Sequence, residues 1–102
     1  MPRLDQLLEL LRQDPADSFA RYAVAMEYAK LARPDDALAE FRELLRRNPD
    51  YVAAYFMAGR TCEQKSDLDS AKDFYRHGIA TAQKIGDTHA AGEIADALAA
   101  IA

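Results

Sequence analysis

Residues 52–82 read VAAYFMAGRTCEQKSDLDSAKDFYRHGIATA. Tyr55, Ala58, Gly59 and Cys62 recur three or four residues apart, the spacing of one helix face. Ser66-Asp67-Leu68-Asp69 then supplies a turn and an acidic cap. Ala71, Tyr75, Gly78 and Ile79 mark one face of a second helix. A helix–turn–helix of this size cannot bury its apolar faces alone, so it needs neighbours on either side.

The rest of the chain provides them. Its 102 residues are enough for one domain with a real core. Half of them are apolar and 29% are charged, with only four glycines and four prolines. Ala and Leu dominate and β-branched residues are few, which predicts an all-α protein. The net charge is −4, against the basic face that nucleic-acid binders present. The single cysteine, Cys62, permits no internal disulfide. No apolar run approaches the roughly 20 residues that span a bilayer. The N-terminus, Met1-Pro2-Arg3-Leu4-Asp5, lacks the apolar core of a signal peptide. The expectation is a cytoplasmic protein without a membrane partner.

Working outward, residues 3–13 form a first helix with Leu4, Leu7, Leu8 and Leu11 on one face and Leu10 about 60° beyond it. Asp14-Pro15 ends it, because the residue before proline is pushed out of helical geometry. The second helix, about 18–31, is capped by Asp17 or Ser18 and is apolar nearly all round, so it has neighbours on more than one side. Ala32-Arg33-Pro34 turns the chain. The third helix, about 35–47, carries Ala37, Leu38, Phe41, Leu44 and Leu45, with acids at its start and arginines at its end. Asn48-Pro49 stops it. The fourth and fifth, about 51–65 and 69–85, are the quoted unit. Gly86 suits a C-terminal cap, and Asp87 or Thr88 the start of a sixth helix over 88–101. That helix places Ala91, Ile94, Ala95, Leu98 and Ile101 on one side.

A shift of 34 residues lays the chain on itself without gaps. Pro15 falls on Pro49, Ala20 on Ala54, Tyr22 on Phe56, Ala25 on Gly59, Ala37 on Ala71, Phe41 on Tyr75 and Arg42 on Arg76. The same shift lays the first helix on the third, with Leu4 on Leu38 and Leu11 on Leu45. The first helix therefore reads as the second half of a copy.

This 34-residue helix–turn–helix period resembles the tetratricopeptide repeat, in its small bacterial form. Tyr55 stands at the family's large aromatic position, Ala58-Gly59 at its leucine–glycine pair, and Ala71, Tyr75 and Gly78 at its small–aromatic–small series. The preceding copy fits less well: Arg21 replaces the aromatic and Val24-Ala25 the leucine–glycine pair. The resemblance implies an antiparallel helix-pair solenoid of six helices. It has a half repeat over 3–14, repeats over 15–48 and 49–85, and a capping helix over 88–101. Close packing explains the pattern. Gly59 and Ala25 lack bulk where two helices cross, with Ala71 and Ala37 expected opposite them. Tyr75 and Phe41 are expected to fill the gaps between adjacent pairs.

No constellation for catalysis is present. Cys62 has no His or Asp placed to activate it and reads as a core residue. His77 and His89 have no clustered co-ligands, so no metal is expected, and no cofactor-binding loop occurs. Asp67-Leu68-Asp69 lacks the rest of a calcium loop. Arg42, Arg46 and Arg47, set among Glu40 and Glu43, read as a solvated helix face.

The resemblance implies instead a protein–protein interaction module with a concave groove. The groove-facing residues would be Phe19, Tyr22, Met26, Ala29 and Lys30, then Ala53, Phe56, Arg60, Glu63 and Gln64. Ala90 and Ile94 would follow from the sixth helix. The partner would be a protein or peptide held on an aromatic, Met-rich centre, with Arg60 and Lys30 as polar handles. A second reading of Tyr22, Met26 and Phe56 stands beside it, plain helix-to-helix packing. A Lys/Asn/Arg clamp for C-terminal carboxylates is found in one subfamily; here its places hold Tyr22, Met26, Phe56 and Arg60, and only Arg60 fits. A further alternative is a homodimer through the broad surface of Leu4, Leu7, Leu8, Leu10 and Leu11.

Overall fold

The first turns of the helices explain where the elements begin. Asp17, Asp67 and Asp87 each accept a hydrogen bond from the backbone N–H three residues on, at 3.0, 3.2 and 3.0 Å. Such a cap contributes about 1 kcal/mol. In the computed structural model, which describes residues 2–102, the elements are α1 (Arg3–Gln13), α2 (Ser18–Lys30), α3 (Pro34–Arg47), α4 (Val52–Gln64), α5 (Leu68–Ile85) and α6 (Thr88–Ile101). There is no strand among the described residues. Pro34 opens α3 because the first helical position needs no N–H donor.

The helix ends repeat as well. Arg33 N–H donates to Tyr28 O and Asp67 N–H to Cys62 O, both at 2.9 Å. The residues between, Ala32 and Ser66, are left-handed, with φ of 58° and 61°. They stand 34 residues apart, so the reversal has the same shape in both copies. Gly86 ends α5 in the left-handed form the sequence suggested.

Each helix packs on the next in sequence. In addition α2 touches α4, and α4 touches α6. The Cα atoms of α1, α3 and α5 do not come within 8 Å of one another. One layer is therefore closed up and the other splayed, which bends the solenoid around α2, α4 and α6. These three helices line its concave side.

The core runs along the interface of the two layers. Val24, Ala25, Ala37, Phe41, Leu44, Ala58, Cys62, Ala71, Tyr75 and Ile94 are wholly buried. Gly59 is the tightest crossing: a Cβ built there lies 2.6 Å from Tyr75 Cδ1 and 2.8 Å from Tyr75 Cζ. This corrects the expected partners. The ring over Gly59 is Tyr75 rather than Ala71, and Tyr75 fills its own pair rather than the gap to the next. Phe41 does likewise, with Tyr22 edge-on at 6.1 Å, just as Phe56 stands edge-on to Tyr75 at 6.2 Å.

On α6 the sequence stripe also needs correction. Ile94 is wholly buried, while Ala95 is exposed and Ala90 and Ala97 pack inward in its place. A Cβ on Gly78 would lie 3.1 Å from Ile94 Cδ1, so Ile94 belongs to the core and not to the groove.

Arg21, which breaks the repeat pattern, does the work of the aromatic it replaces. Tyr55 donates its hydroxyl to Pro49 O at 2.9 Å. Arg21 donates Nη2 to Pro15 O at 3.0 Å, the same bond one repeat earlier. Its Nη1 pairs with Glu40 at 2.8 Å, and Glu40 stands where Phe74 stands in the later copy. A polar pair stands where the later copy has two aromatic residues, Tyr55 and Phe74.

Two predictions follow from this packing. Gly59→Leu forces bulk against the buried Tyr75 ring and destabilises by on the order of 1–3 kcal/mol or more; chemical denaturation checks this, and an unchanged midpoint would reject the contact. Glu40→Ala leaves Arg21 unpaired and costs about 2 kcal/mol or more. The double variant Arg21→Tyr, Glu40→Phe copies the later repeat and is expected to recover most of that loss in the same measurement.

Candidate functional site

The concave face offers side chains from α2 and α4. On α2, Phe19 is 71% exposed, because it lies before the helix meets its neighbours. One helical turn on, Tyr22 is half-buried between Phe41 and Tyr51, whose ring centroid is 5.4 Å away. Burial, with the nearby Tyr51 hydroxyl, raises the Tyr22 phenol above its ordinary value, so it stays a neutral donor. Met26 is half-buried and Lys30 exposed. Phe19, Tyr22, Met26 and Lys30 line one hollow of about 400 Å³ together with Arg3, Ala23 and Glu27. The sequence reading named the first four and missed the last three. Arg3 enters from α1 and holds Glu27 at 3.4 Å, a contact between helices that no single-helix pattern reveals. Ala23 and Glu27 extend the same α2 surface.

On α4 the predicted residues gather separately. The Arg60 guanidinium lies 5.1 Å above the Phe56 ring, a cation–π contact. Arg60 and Glu63 line a second hollow of about 250 Å³. Glu63 accepts the hydroxyl of Tyr75. Burial of Tyr75, followed by this bond to an anion, pushes its phenol well above its ordinary value. Gln64 reaches Ala29 O at 3.5 Å, a long contact that ties α4 to α2. Ala53 is exposed; Ala29 and Ala90 pack partly against the core. The structure thus joins the two readings of Tyr22 and Phe56: each turns one ring edge to a core aromatic and leaves the rest at the surface.

Elsewhere, Cys62 is buried, and burial pushes its thiol above the usual range. Arg46 and Arg47 both bond Glu43 and hold its carboxyl down at about 2. That is the solvated face expected of them. Arg42 differs: it lies 5.6 Å over Phe74 and helps line a hollow of about 230 Å³ on the splayed side, with Tyr55, Ser70, Asp73 and His77. On α1 the apolar surface is narrower than expected. Leu7 and Leu11 are buried against α2, Leu4 and Leu8 are partly covered, and Leu10 alone of these remains 54% exposed. Among the described residues, no helix is long and apolar enough to cross a membrane.

A curved solenoid of paired helices with an aromatic inner face is the architecture of a scaffold for protein interaction. The tetratricopeptide repeat profile matches residues 22–83. The chain belongs to the tetratricopeptide repeat family. It is similar to a tetratricopeptide repeat domain protein of Salinibacter ruber, known in solution, at 39% identity over 86% of this chain and 89% of that one, with a TM-score of 0.81. A crystal structure of a tetratricopeptide repeat domain protein of the same organism is 38% identical over 83% of this chain and 94% of that one, with a TM-score of 0.76. A protein of Bordetella parapertussis is 26% identical over 99% of this chain and 88% of that one, with a TM-score of 0.86. No curated protein matches the sequence.

The Tyr75 hydroxyl gives a prediction. Tyr75→Phe keeps the ring over Gly59 and removes only the bond to Glu63, costing about 1 kcal/mol. In alkaline titration Tyr75 is expected to ionise last of the five tyrosines. Its folded-state value is raised, so its contribution is full below the ordinary tyrosine range and is lost only as pH rises beyond that range. Loss of the earliest-titrating tyrosine in the Phe variant would contradict the assignment.

Proposed function

We propose that the chain is a non-enzymatic interaction module that takes an extended peptide or a helix across α2 and α4. The observation that carries this reading is the exposed Phe19 beside the 400 Å³ hollow of Tyr22, Ala23, Met26 and Lys30. An aromatic left 71% exposed at the edge of a hollow buries little of its ring in the folded chain. It contributes when a partner covers it. Lys30 and Arg60 flank the apolar surface, and neither forms an ion pair among the described residues. The ligand that suits them carries one or two apolar anchors and a carboxylate. Glu63, held by Tyr75, fixes the acidic edge and disfavours an acidic group there.

Selection of a random displayed-peptide library on the immobilised protein, followed by NMR titration of the winners, tests this. Selected peptides are expected to be apolar and acidic, and to shift Phe19, Tyr22, Met26, Phe56 and Arg60 together. The Phe56→Ala, Arg60→Glu double variant should lose at least tenfold in affinity while keeping its helical spectrum. Shifts that cluster on α3 and α5 would overturn the proposal.

A second reading is self-association through α1. It rests on Leu10, which is 54% exposed although its equivalent Leu44 is wholly buried. Sedimentation over a concentration range reads it, and a strict monomer at the highest concentration would reject it.

A further inference from the structure

Among the described residues, Arg60 is the one helical arginine that leaves unpaired an acid three or four residues away in its own helix. Side chains at that spacing are neighbours on one helix face. Arg12 bonds Glu9 at 2.6 Å, and Arg46 and Arg47 both bond Glu43 at 2.7 Å. Arg76 reaches Asp73 at 3.6 Å. In these pairs the acid comes first in the chain, whereas Arg60 precedes Glu63. That order does not forbid the contact, since Arg33 meets Asp36 at 2.8 Å. Yet Arg60 and Glu63 stay apart and line a hollow of about 250 Å³.

Each charge is held by a ring of one aromatic pair. The Arg60 guanidinium lies 5.1 Å above Phe56, and Glu63 accepts the hydroxyl of the buried Tyr75. Phe56 and Tyr75 are themselves edge-on at 6.2 Å. A hydrogen bond to a carboxylate and a cation–π contact together outweigh an exposed ion pair three residues apart. The cation and the anion are therefore set in place side by side with their attraction for each other unmet. Side chains already fixed lose less freedom when a ligand arrives.

The neighbouring repeat lacks this arrangement. The 34-residue shift lays Met26 on Arg60 and Ala29 on Glu63. The concave face thus passes from apolar on α2 to dipolar on α4 in one repeat step. The α4 hollow is smaller than the roughly 300–1,000 Å³ of small-molecule pockets, and two side chains line it. It suits the side chains of a segment that is also held by the surface beside it.

We propose that the hollow between Arg60 and Glu63 takes an acidic and a basic side chain of one partner peptide, the carboxylate on Arg60 and the cation on Glu63. This rests on the peptide reading above and adds a required cation and a direction. Arg60 and Glu63 project from α4 about 5–6 Å apart. The two ligand charges accordingly lie one turn apart on a helix or two residues apart on an extended chain. With its apolar anchor on α2 and its charge pair on α4, the peptide crosses the groove in one direction. A purely acidic segment is rejected, because its second carboxylate meets Glu63.

Peptides selected from a displayed library on the full chain are the probe. Those that shift Phe56 and Arg60 in NMR titration are expected to carry an acid and a base at one of these spacings. Replacing the basic residue by Gln should weaken binding to wild type at least fivefold. It should change nothing on Glu63→Gln, whose side chain still accepts the Tyr75 hydroxyl. Replacing the acidic residue should likewise cost at least fivefold on wild type and nothing on Arg60→Gln. Both protein variants are first checked for native helicity. Peptides that shift Tyr22, Met26 and Phe56 but need no basic residue would overturn the dipolar site and leave the groove reading standing. A basic residue whose loss costs as much on Glu63→Gln as on wild type would do the same. Shifts confined to α3 and α5 would overturn both.

Discussion

The ring of Tyr75 against the bare backbone of Gly59 sets the distance between the helices of a pair. Nothing larger than hydrogen fits at residue 59, and a smaller ring at 75 would leave a void in the buried layer. The earlier pair holds Phe41 and Ala25 at the same two places, both wholly buried. Once this crossing is fixed, the rings of Tyr22 and Phe56 are fixed too, inclined at 62° and 68° to the core aromatic of their pairs. Their other edges then face the concave side. The same contact that holds the pair together therefore presents the aromatic surface on which the proposed function rests.

Curvature follows from which layer closes. The helices α2, α4 and α6 approach one another in turn, while α1, α3 and α5 stand apart. The wedge on the outer side is partly filled by Arg42 over Phe74 and by His77 beside the Tyr55 ring, 6.2 Å away. In the earlier repeat the corresponding places hold Arg21 and Glu40, paired at 2.8 Å. The outer surfaces of the two repeats thus differ in chemistry while the inner crossing is kept.

Much of the architecture was legible in the sequence because it is periodic. Helix starts were written by Asp17, Asp67 and Asp87, stops by Pro15, Pro49 and Gly86, and the array by the 34-residue shift. Contacts between helices were less legible. A shift alignment places Ala71 and Tyr75 on the same face but does not say which meets Gly59. The length of α5 moves the register of α6, so Ile94 went to the core although a strict shift set it in the groove. Arg21 looked like a defect, because a pattern of residue types cannot show that guanidinium and phenol donate to equivalent carbonyls, Pro15 O and Pro49 O. Within the groove, Phe19, Tyr22, Met26 and Lys30 were legible from one helix face. Arg3 and Glu27 were not, since their meeting depends on how α1 lies on α2.

The central claim is that the inner face of α2 is held open for a partner while the Gly59–Tyr75 crossing holds the fold. Phe19 separates the two most directly. The measurement is the melting temperature of Phe19→Ser together with its retention of a peptide selected on the wild-type protein. The account predicts an unchanged or slightly raised melting temperature and loss of the peptide. A lowered melting temperature with the peptide still bound would mean that Phe19 packs the fold, and would contradict the account.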